Sequence, residues 1–196
     1  MYILPKSFYA RDPKVVAIDL LGKVIVRKLD GERLSGIIVE TEAYYGFNDP
    51  ASRAYGGIKP FCRVMLEEPG TLFIYMVHGN WLLNIVTLPK GIPSAVLIRA
   101  VEPKEGIKIM LRNRRVKRIY DLTNGPGKFT KAFGITKEYN GLNVADPSSP
   151  INIIDKGYRP SSIESSHRIG VSRDLPQKLR FYIKDNPYVS KAKPRA

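Results

Sequence analysis

The sequence contains few of the side chains that hold metals or form crosslinks. It has one cysteine, Cys62, and two histidines, His78 and His167. A single cysteine excludes an intrachain disulfide, and three such side chains are too few for a convincing zinc site. We therefore expect no metal and no cofactor, in a protein of the reducing cell interior.

Long apolar runs are also absent. No run reaches the roughly 20 residues that a membrane-spanning helix requires. The start, Met1 to Lys6, lacks the long apolar core and cleavage site of a secretory signal. We therefore predict no membrane contact. Because no repeat or low-complexity tract divides the chain, we also predict a single domain over residues 1–190, with a loose tail at 191–196.

Positive charge is in large excess. The 32 lysines and arginines exceed the 18 acidic residues, which gives a formal charge of +14. Such a chain attracts polyanions, so nucleic acid is the favoured partner, with an anionic surface, an acidic protein or simple solubility as alternatives. Arg112, Arg114, Arg115, Lys117 and Arg118 crowd into one stretch. They are either phosphate contacts or a solvated helix face.

The apolar pattern predicts mostly strands in the first hundred residues, with helices mixed in later. Strands are predicted at 23–29, 34–44, 71–77, 81–88, 94–101 (closed by Pro103), 151–154 and 180–183, and helices at 13–22, 104–119 and 128–133. Hairpins should turn at Asp30-Gly31 and at His78-Gly79-Asn80, and residues 46–60 should form a loop. This order lacks regular strand–helix alternation and indicates an α+β fold.

Two segments carry candidate chemistry. Residues 124–127 form a glycine-rich turn before a helix, where exposed amides and Lys128 could hold a phosphate. On the strand at 34–44, alternation places Glu40, Glu42 and Tyr44 on one face. Two carboxylates beside an aromatic ring are unusual on a buried face and unremarkable on an exposed edge. The spacing leaves both interpretations open.

The loop after this strand reads Asn48-Asp49-Pro50-Ala51-Ser52-Arg53-Ala54-Tyr55-Gly56-Gly57. With the preceding Glu42-Ala43-Tyr44, it resembles the 3-methyladenine (alkyladenine) DNA glycosylase family. Further segments match in order: Leu20-Leu21-Gly22-Lys23, Glu68-Pro69-Gly70-Thr71, Asn84, Leu97-Ile98-Arg99-Ala100-Val101-Glu102-Pro103, Asn124-Gly125-Pro126-Gly127-Lys128, Arg168-Ile169-Gly170, Arg180-Phe181-Tyr182 and Asn186-Pro187-Tyr188-Val189-Ser190. The resemblance runs from about residue 7 to residue 190.

The resemblance implies a curved, mainly antiparallel, barrel-like sheet with surrounding helices. It also implies a monomeric, monofunctional enzyme whose partner is double-stranded DNA with an alkylated or deaminated purine. The lesions would be 3-methyladenine, 7-methylguanine, hypoxanthine or ethenoadenine, flipped out of the stack before the N-glycosidic bond is hydrolysed. The location would be the cytoplasm at the nucleoid in a prokaryote, or the nucleus in a eukaryote.

The resemblance also implies residue roles. Glu42 would activate the water, and Arg99 would help hold that water, although a structural ion pair would equally satisfy a buried arginine. Tyr44 and Tyr75 would sandwich the base, with core packing as the alternative. Asn84 would exclude the exocyclic amine of guanine, unless it only bonds to a loop.

Three departures from the family pattern concern specificity and the wedge. Arg53 replaces the usual histidine; it would repel a cationic methylpurine and favour a keto oxygen, or it turns outward to a phosphate. His78 replaces the tyrosine that fills the gap left by the flipped base, and Trp81 could assist it if the hairpin is remodelled. The stretch from Gly79 to Asn84 is one residue shorter than in relatives.

Two other functions compete with this interpretation. The turn at 125–128 with Thr130 resembles a helix-hairpin-helix glycosylase, but that class is mainly helical. A non-catalytic RNA- or ribosome-associated module would also suit the basic charge and 11 tyrosines. Such a module leaves a pairing of Glu42 with Arg99 unexplained.

Overall fold

The computed structural model describes residues 2–29 and 31–192, which are built around one antiparallel sheet. Its strands are β1 (Tyr2–Ile3), β2 (Val24–Leu29), β3 (Glu32–Tyr44), β4 (Leu72–Val77), β5 (Asn80–Val86), β6 (Ala95–Glu105), β7 (Ile151–Asp155), β8 (Ile163–Ser166) and β9 (Arg180–Ile183). The order across the sheet is β1-β7-β2-β3-β6-β5-β4, and β9 joins β3 to β8. The predicted α+β class with a curved antiparallel sheet is confirmed.

Helices surround this sheet. They are α1 (Lys6–Tyr9), α2 (Pro13–Leu20), α3 (Ile107–Arg114) and α4 (Pro126–Phe133), with 3-10 turns at Pro60–Leu66, Ile119–Asp121 and Lys137–Tyr139. Helix α2 starts after Asp12, whose side chain accepts hydrogen bonds from the backbone amides of Lys14 and Val15. This N-cap satisfies amide donors that have no partner within the helix. Helices α2 and α4 bury their apolar faces against the sheet and close the main core.

Both predicted hairpins are present, with turns set by local backbone geometry. Asp30 of the first turn lies outside the described residues. In the second hairpin Val77 pairs with Asn80, so the turn is His78-Gly79 alone. Both turn residues have positive φ, 46° and 74°, as a type I′ turn requires.

The predicted strand and helix between Ser94 and Ile119 are both present, but their predicted bounds were wrong. Strand β6 continues through Pro103 to Glu105, because Pro103 pairs with Gly36 at a register shift, where a missing amide is tolerated. The following helix is therefore short. It starts after Gly106 and stops at Arg115, and both residues have left-handed backbones.

Smaller differences occur at element ends. Helix α4 begins at Pro126 rather than Lys128, because proline fits the first helical position, where an amide has no partner. The apolar pattern also misses β1, α1 and β8, which have two to four residues each. Of the predicted tail, Lys191 and Ala192 are irregular, and 193–196 lie outside the described residues. In the described part of the chain, none of the helices has the length and apolar character needed to cross a bilayer.

Candidate active site

The centre of β3 holds two buried carboxylates. Glu40 and Glu42 both have a relative exposure of 0%, which excludes an exposed strand edge. Two register shifts against β6 surround Glu40, and β9 pairs with β3 from Glu40 to Glu42 on its other side. Register shifts re-aim side chains. Strand β3 is therefore flanked by two neighbours that each supply an arginine to these acids.

Glu42 accepts three hydrogen bonds. Its Oε2 accepts from the Tyr44 hydroxyl at 2.7 Å and from Nη1 of Arg99 at 3.2 Å. Its Oε1 accepts the backbone amide of Ile169 at 2.7 Å. A carboxylate has about four lone-pair sites, so one acceptor position remains, on Oε1.

Arg99 bridges the two acids. Its Nε donates to Oε1 of Glu40 at 2.9 Å while Nη1 reaches Glu42. Burial alone would lower the pKa of Arg99, but the charges of Glu42 and Glu40 raise that pKa above its ordinary value. This buried arginine therefore has two carboxylate partners, Glu40 and Glu42.

Glu40 is held from the opposite side as well. Its Oε1 accepts from Nε of Arg180 at 2.7 Å and from the Ser190 hydroxyl at 2.8 Å, and its Oε2 accepts the Ser190 amide. Two arginines thus balance two carboxylates in a closed network. The sequence pattern places Glu40 beside Glu42 but gives no role to Glu40 or Arg180, because their pairing depends on the contact between β3 and β9.

A third arginine supports Tyr44. Arg168 is almost fully buried and forms two hydrogen bonds with Asp49, at 2.6 and 2.7 Å. It also bonds to Asp174, and its guanidinium carbon lies 4.5 Å from the centre of the Tyr44 ring. The next residue, Ile169, supplies the amide that binds Glu42. This clamp joins the loop after β3 to the segment after β8.

Tyr44 is held in its protonated form. Burial raises the pKa of its hydroxyl well above the ordinary 10.0, and the nearby Glu42 charge raises it further. The hydroxyl therefore remains a donor to Glu42 across the neutral range.

An open cleft of about 690 Å³ lies in front of this network. Its wall includes Tyr44, Arg99 and Ile169, the three partners of Glu42. The rest of the lining comes from Pro50, Ala51, Ser52, Arg53, Tyr75, Val77, His78, Asn80, Leu82, Leu97, Asn124, Gly125, Pro126, Gly127, Lys128, Gly170, Val171, Ser172, Ser190, Lys191 and Ala192. Glu42 consequently lies directly behind the cleft wall.

A small cavity that adjoins the cleft brings together the four predicted pocket residues. Tyr44, Tyr75, Asn84 and Arg53 surround a small cavity of about 10 Å³. The Asn84 amide donates to the carbonyl of Phe73 at 3.2 Å, which fixes its orientation. Arg53 is exposed, and its guanidinium carbon lies over the Tyr75 ring, 4.9 Å from its centre.

The two wedge candidates, His78 and Trp81, lie on different sides of the hairpin. His78 is exposed at the tip and lines the cleft. Trp81 pairs with Met76 on the opposite face, and its ring packs against the main core. With this hairpin geometry Trp81 does not line the cleft, because strand alternation turns its ring away from it.

The predicted phosphate contacts divide into two groups. Lys128 lines the cleft at the start of α4. A Cβ at Gly127 would lie 2.6 Å from Cβ of Asn80, so glycine there lets α4 approach the hairpin tip. Arg112, Arg114 and Arg115 do not line the cleft. Arg114 donates to the backbone carbonyls of Leu122 and Asp121 instead.

No group of three or more histidine, cysteine, aspartate or glutamate side chains suited to a metal ion occurs within residues 2–29 and 31–192. Of the residues that line the cleft, Arg99 forms ion pairs, with Glu40 and Glu42.

Comparisons with known proteins identify the family of this chain. The family model for methylpurine-DNA glycosylase matches residues 7–187. A protein of Prosthecochloris aestuarii is 44% identical over 96% of this chain and 91% of its own length. Relatives from Desulfitobacterium hafniense and Staphylococcus aureus are 40% and 41% identical, over 98% and 93% of their own lengths. All three are provisionally named 3-methyladenine DNA glycosylases. The chain therefore belongs to the methylpurine-DNA glycosylase family, whose DNA-repair enzymes hydrolyse N-glycosyl bonds in DNA.

Proposed function

We propose that this protein flips a damaged purine out of duplex DNA and hydrolyses its N-glycosidic bond with a water activated by Glu42. The supporting observation is the position of Glu42 behind the cleft wall, with its three partners, Tyr44, Arg99 and Ile169, all facing the cleft. A base inside a duplex is out of reach of such a recessed group, so the nucleotide must leave the stack.

The remaining acceptor site on Oε1 of Glu42 receives the water. The bond between C1′ and the base nitrogen breaks, and its electron pair leaves with the base. Positive charge then grows on the sugar carbon, where the carboxylate stabilises it. The water oxygen bonds to C1′ and its proton passes to Glu42. Arg99 holds the carboxylate in place during this step.

The tyrosines provide the base site. The rings of Tyr44 and Tyr75 stack on the flipped base, which is worth about 1–3 kcal/mol per base. Asn84 opposes the exocyclic amine of guanine, and His78 at the hairpin tip enters the gap in the stack. Lys128 contacts a phosphate from the cleft edge.

The lesions accepted are alkylated or deaminated purines: 3-methyladenine, 7-methylguanine, hypoxanthine and ethenoadenine. The enzyme acts as a monomer at the nucleoid of a prokaryotic cell. It uses no lysine chemistry, so it leaves an abasic site without cutting the strand.

A hypoxanthine-containing duplex tests the proposal. The wild-type protein should produce breaks at the lesion only after alkali, and Glu42→Gln should remove those breaks while retaining DNA binding. Glu67→Gln, an exposed glutamate paired with Lys90, is the matched control and should behave like the wild type. Binding without base release in the wild type would indicate a basic nucleic-acid-binding module instead.

A further inference from the structure

Three side chains lie against the Tyr75 ring, which is half-buried. Phe73 stacks on it at 4.9 Å between ring centres with an interplanar angle of 24°, and Phe61 tilts against it at 6.4 Å. The guanidinium carbon of Arg53 lies 4.9 Å from the same centre. A cation at this distance from a tyrosine face is attracted by the ring quadrupole. Arg53 therefore occupies ring surface on which a purine would stack.

The charge of Arg53 has no acidic counterpart. Arg99, Arg168 and Arg180 each pair with a buried carboxylate. For Arg53, no carboxylate lies within ion-pair distance among the residues that the structure describes. Arg53 is exposed, so water screens part of its charge, but no carboxylate neutralises that charge before a base enters the cleft.

Neighbouring residues fix the backbone position of Arg53. Its carbonyl accepts from the buried Cys62 thiol at 3.4 Å, and the next residue, Ala54, is fully buried. The cavity between Arg53, Tyr44 and Asn84 is about 10 Å³, much less than a purine needs. The adjoining cleft of about 690 Å³, which Arg53 and Tyr75 also line, has room for a base, and a base that stacks on Tyr75 there lies beside the guanidinium.

We propose that Arg53 makes this enzyme selective for neutral purines with a keto oxygen at C6, of which hypoxanthine is one, over cationic N-methylated purines. This inference rests on the proposed function of the same cleft. A guanidinium offers only donors and cannot lose its charge. It repels a purine that already carries positive charge and donates to a keto oxygen.

The same charge also acts on the leaving group. When a neutral purine departs, the electron pair of the glycosidic bond makes the base anionic, and part of that charge spreads to the keto oxygen. Arg53 stabilises this charge, while the proton of the attacking water goes to Glu42. A cationic purine leaves as a neutral base and gains nothing from the arginine.

The test compares two duplexes, one with hypoxanthine and one with 7-methylguanine, which share the keto oxygen and differ in charge. The released free base is measured by mass spectrometry under single-turnover conditions, below and above half-saturation. Replacing Arg53 by Gln should lower the ratio of hypoxanthine to 7-methylguanine release, measured below half-saturation, by about tenfold or more. The hypoxanthine rate should fall at saturation, and 7-methylguanine DNA should bind more tightly.

Two further variants complete the experiment. Arg53→Lys keeps the charge and should retain most of the preference. Arg63→Gln removes an exposed arginine outside the cleft lining and should leave the ratio unchanged. An unchanged ratio in Arg53→Gln, or an equal change in Arg63→Gln, would overturn this inference alone. A wild-type protein that releases neither base would overturn the proposed function as well.

Discussion

The guanidinium of Arg168 lies 4.5 Å from the centre of the Tyr44 ring and is bonded on its other edges to Asp49 and Asp174. Breaking a buried ion pair costs about 3–5 kcal/mol because it leaves a charge without a partner. We expect Arg168→Gln to lower the free energy of unfolding by about this amount. Arg33→Gln removes an exposed pair with Glu105 and should cost about 1 kcal/mol or less. Urea unfolding measures both, and equal losses would refute the structural role of the clamp.

Glu40 supports Arg99 without facing the cleft. Glu40→Gln would leave Arg99 and Arg180 with one carboxylate fewer. The NH2 group of the new side chain would also face the Ser190 amide or hydroxyl, from which it cannot accept a hydrogen bond. We expect a loss of about 3–5 kcal/mol in stability, together with slower hypoxanthine release at saturating enzyme, because Arg99 loses an anchor. The single-turnover rate is measured at a temperature where the variant is folded. A wild-type rate there would show that Arg99 does not depend on Glu40, and Glu67→Gln again serves as the control.

Tyr9 carries a hydroxyl that is buried without a hydrogen-bond partner in the described part of the chain. Burial raises its pKa well above the ordinary 10.0. The unfolded tyrosine ionises near pH 10 while the folded one does not, so the wild type loses stability as pH rises above about 10. We expect Tyr9→Phe to raise the free energy of unfolding by about 1 kcal/mol at neutral pH. The gain should widen above pH 10, as measured by urea unfolding at several pH values, and a constant difference would contradict the pKa shift.

The basic surface gives a salt-dependence prediction. Arg112 and Arg115 are exposed, so replacing both with Gln should flatten the log–log salt slope of DNA binding by about 2 if each contacts a phosphate. Lys128→Gln should flatten it by about 1. Arg114→Gln should leave the slope unchanged and reduce stability, because that side chain binds backbone carbonyls. An unchanged slope in the double variant would mean that this stretch faces only water.

Local patterns predicted the hairpins well, and they predicted the strand and helix between Ser94 and Ile119 with the wrong ends. Strand periodicity and the turn residues at His78-Gly79 act over a few residues, so they can be recognised in the sequence alone. The continuation of β6 through Pro103 depends on pairing with Gly36, which is distant in sequence. Helix α3 is shorter than predicted because Arg115 adopts a left-handed backbone, which propensity does not indicate.

The candidate site divides in the same way. Alternation along β3 was enough to place Glu42 and Tyr44 on one face, and family resemblance supplied Arg99, Tyr75 and Asn84. The clamp formed by Arg168 and Asp49 was not predicted, because it joins residues 119 positions apart. A motif records residue types, whereas an ion pair requires knowledge of which segments meet.

By itself, the sequence determined the α+β class, the basic charge, and an acid on a strand face beside a tyrosine, because these depend on composition and on a period of two residues. Only the tertiary structure decided that Glu42 is buried behind a cleft, that Arg53 lies on Tyr75, and that Trp81 faces the core. These outcomes depend on strand pairing and register, which bring distant side chains to within hydrogen-bonding or stacking distance.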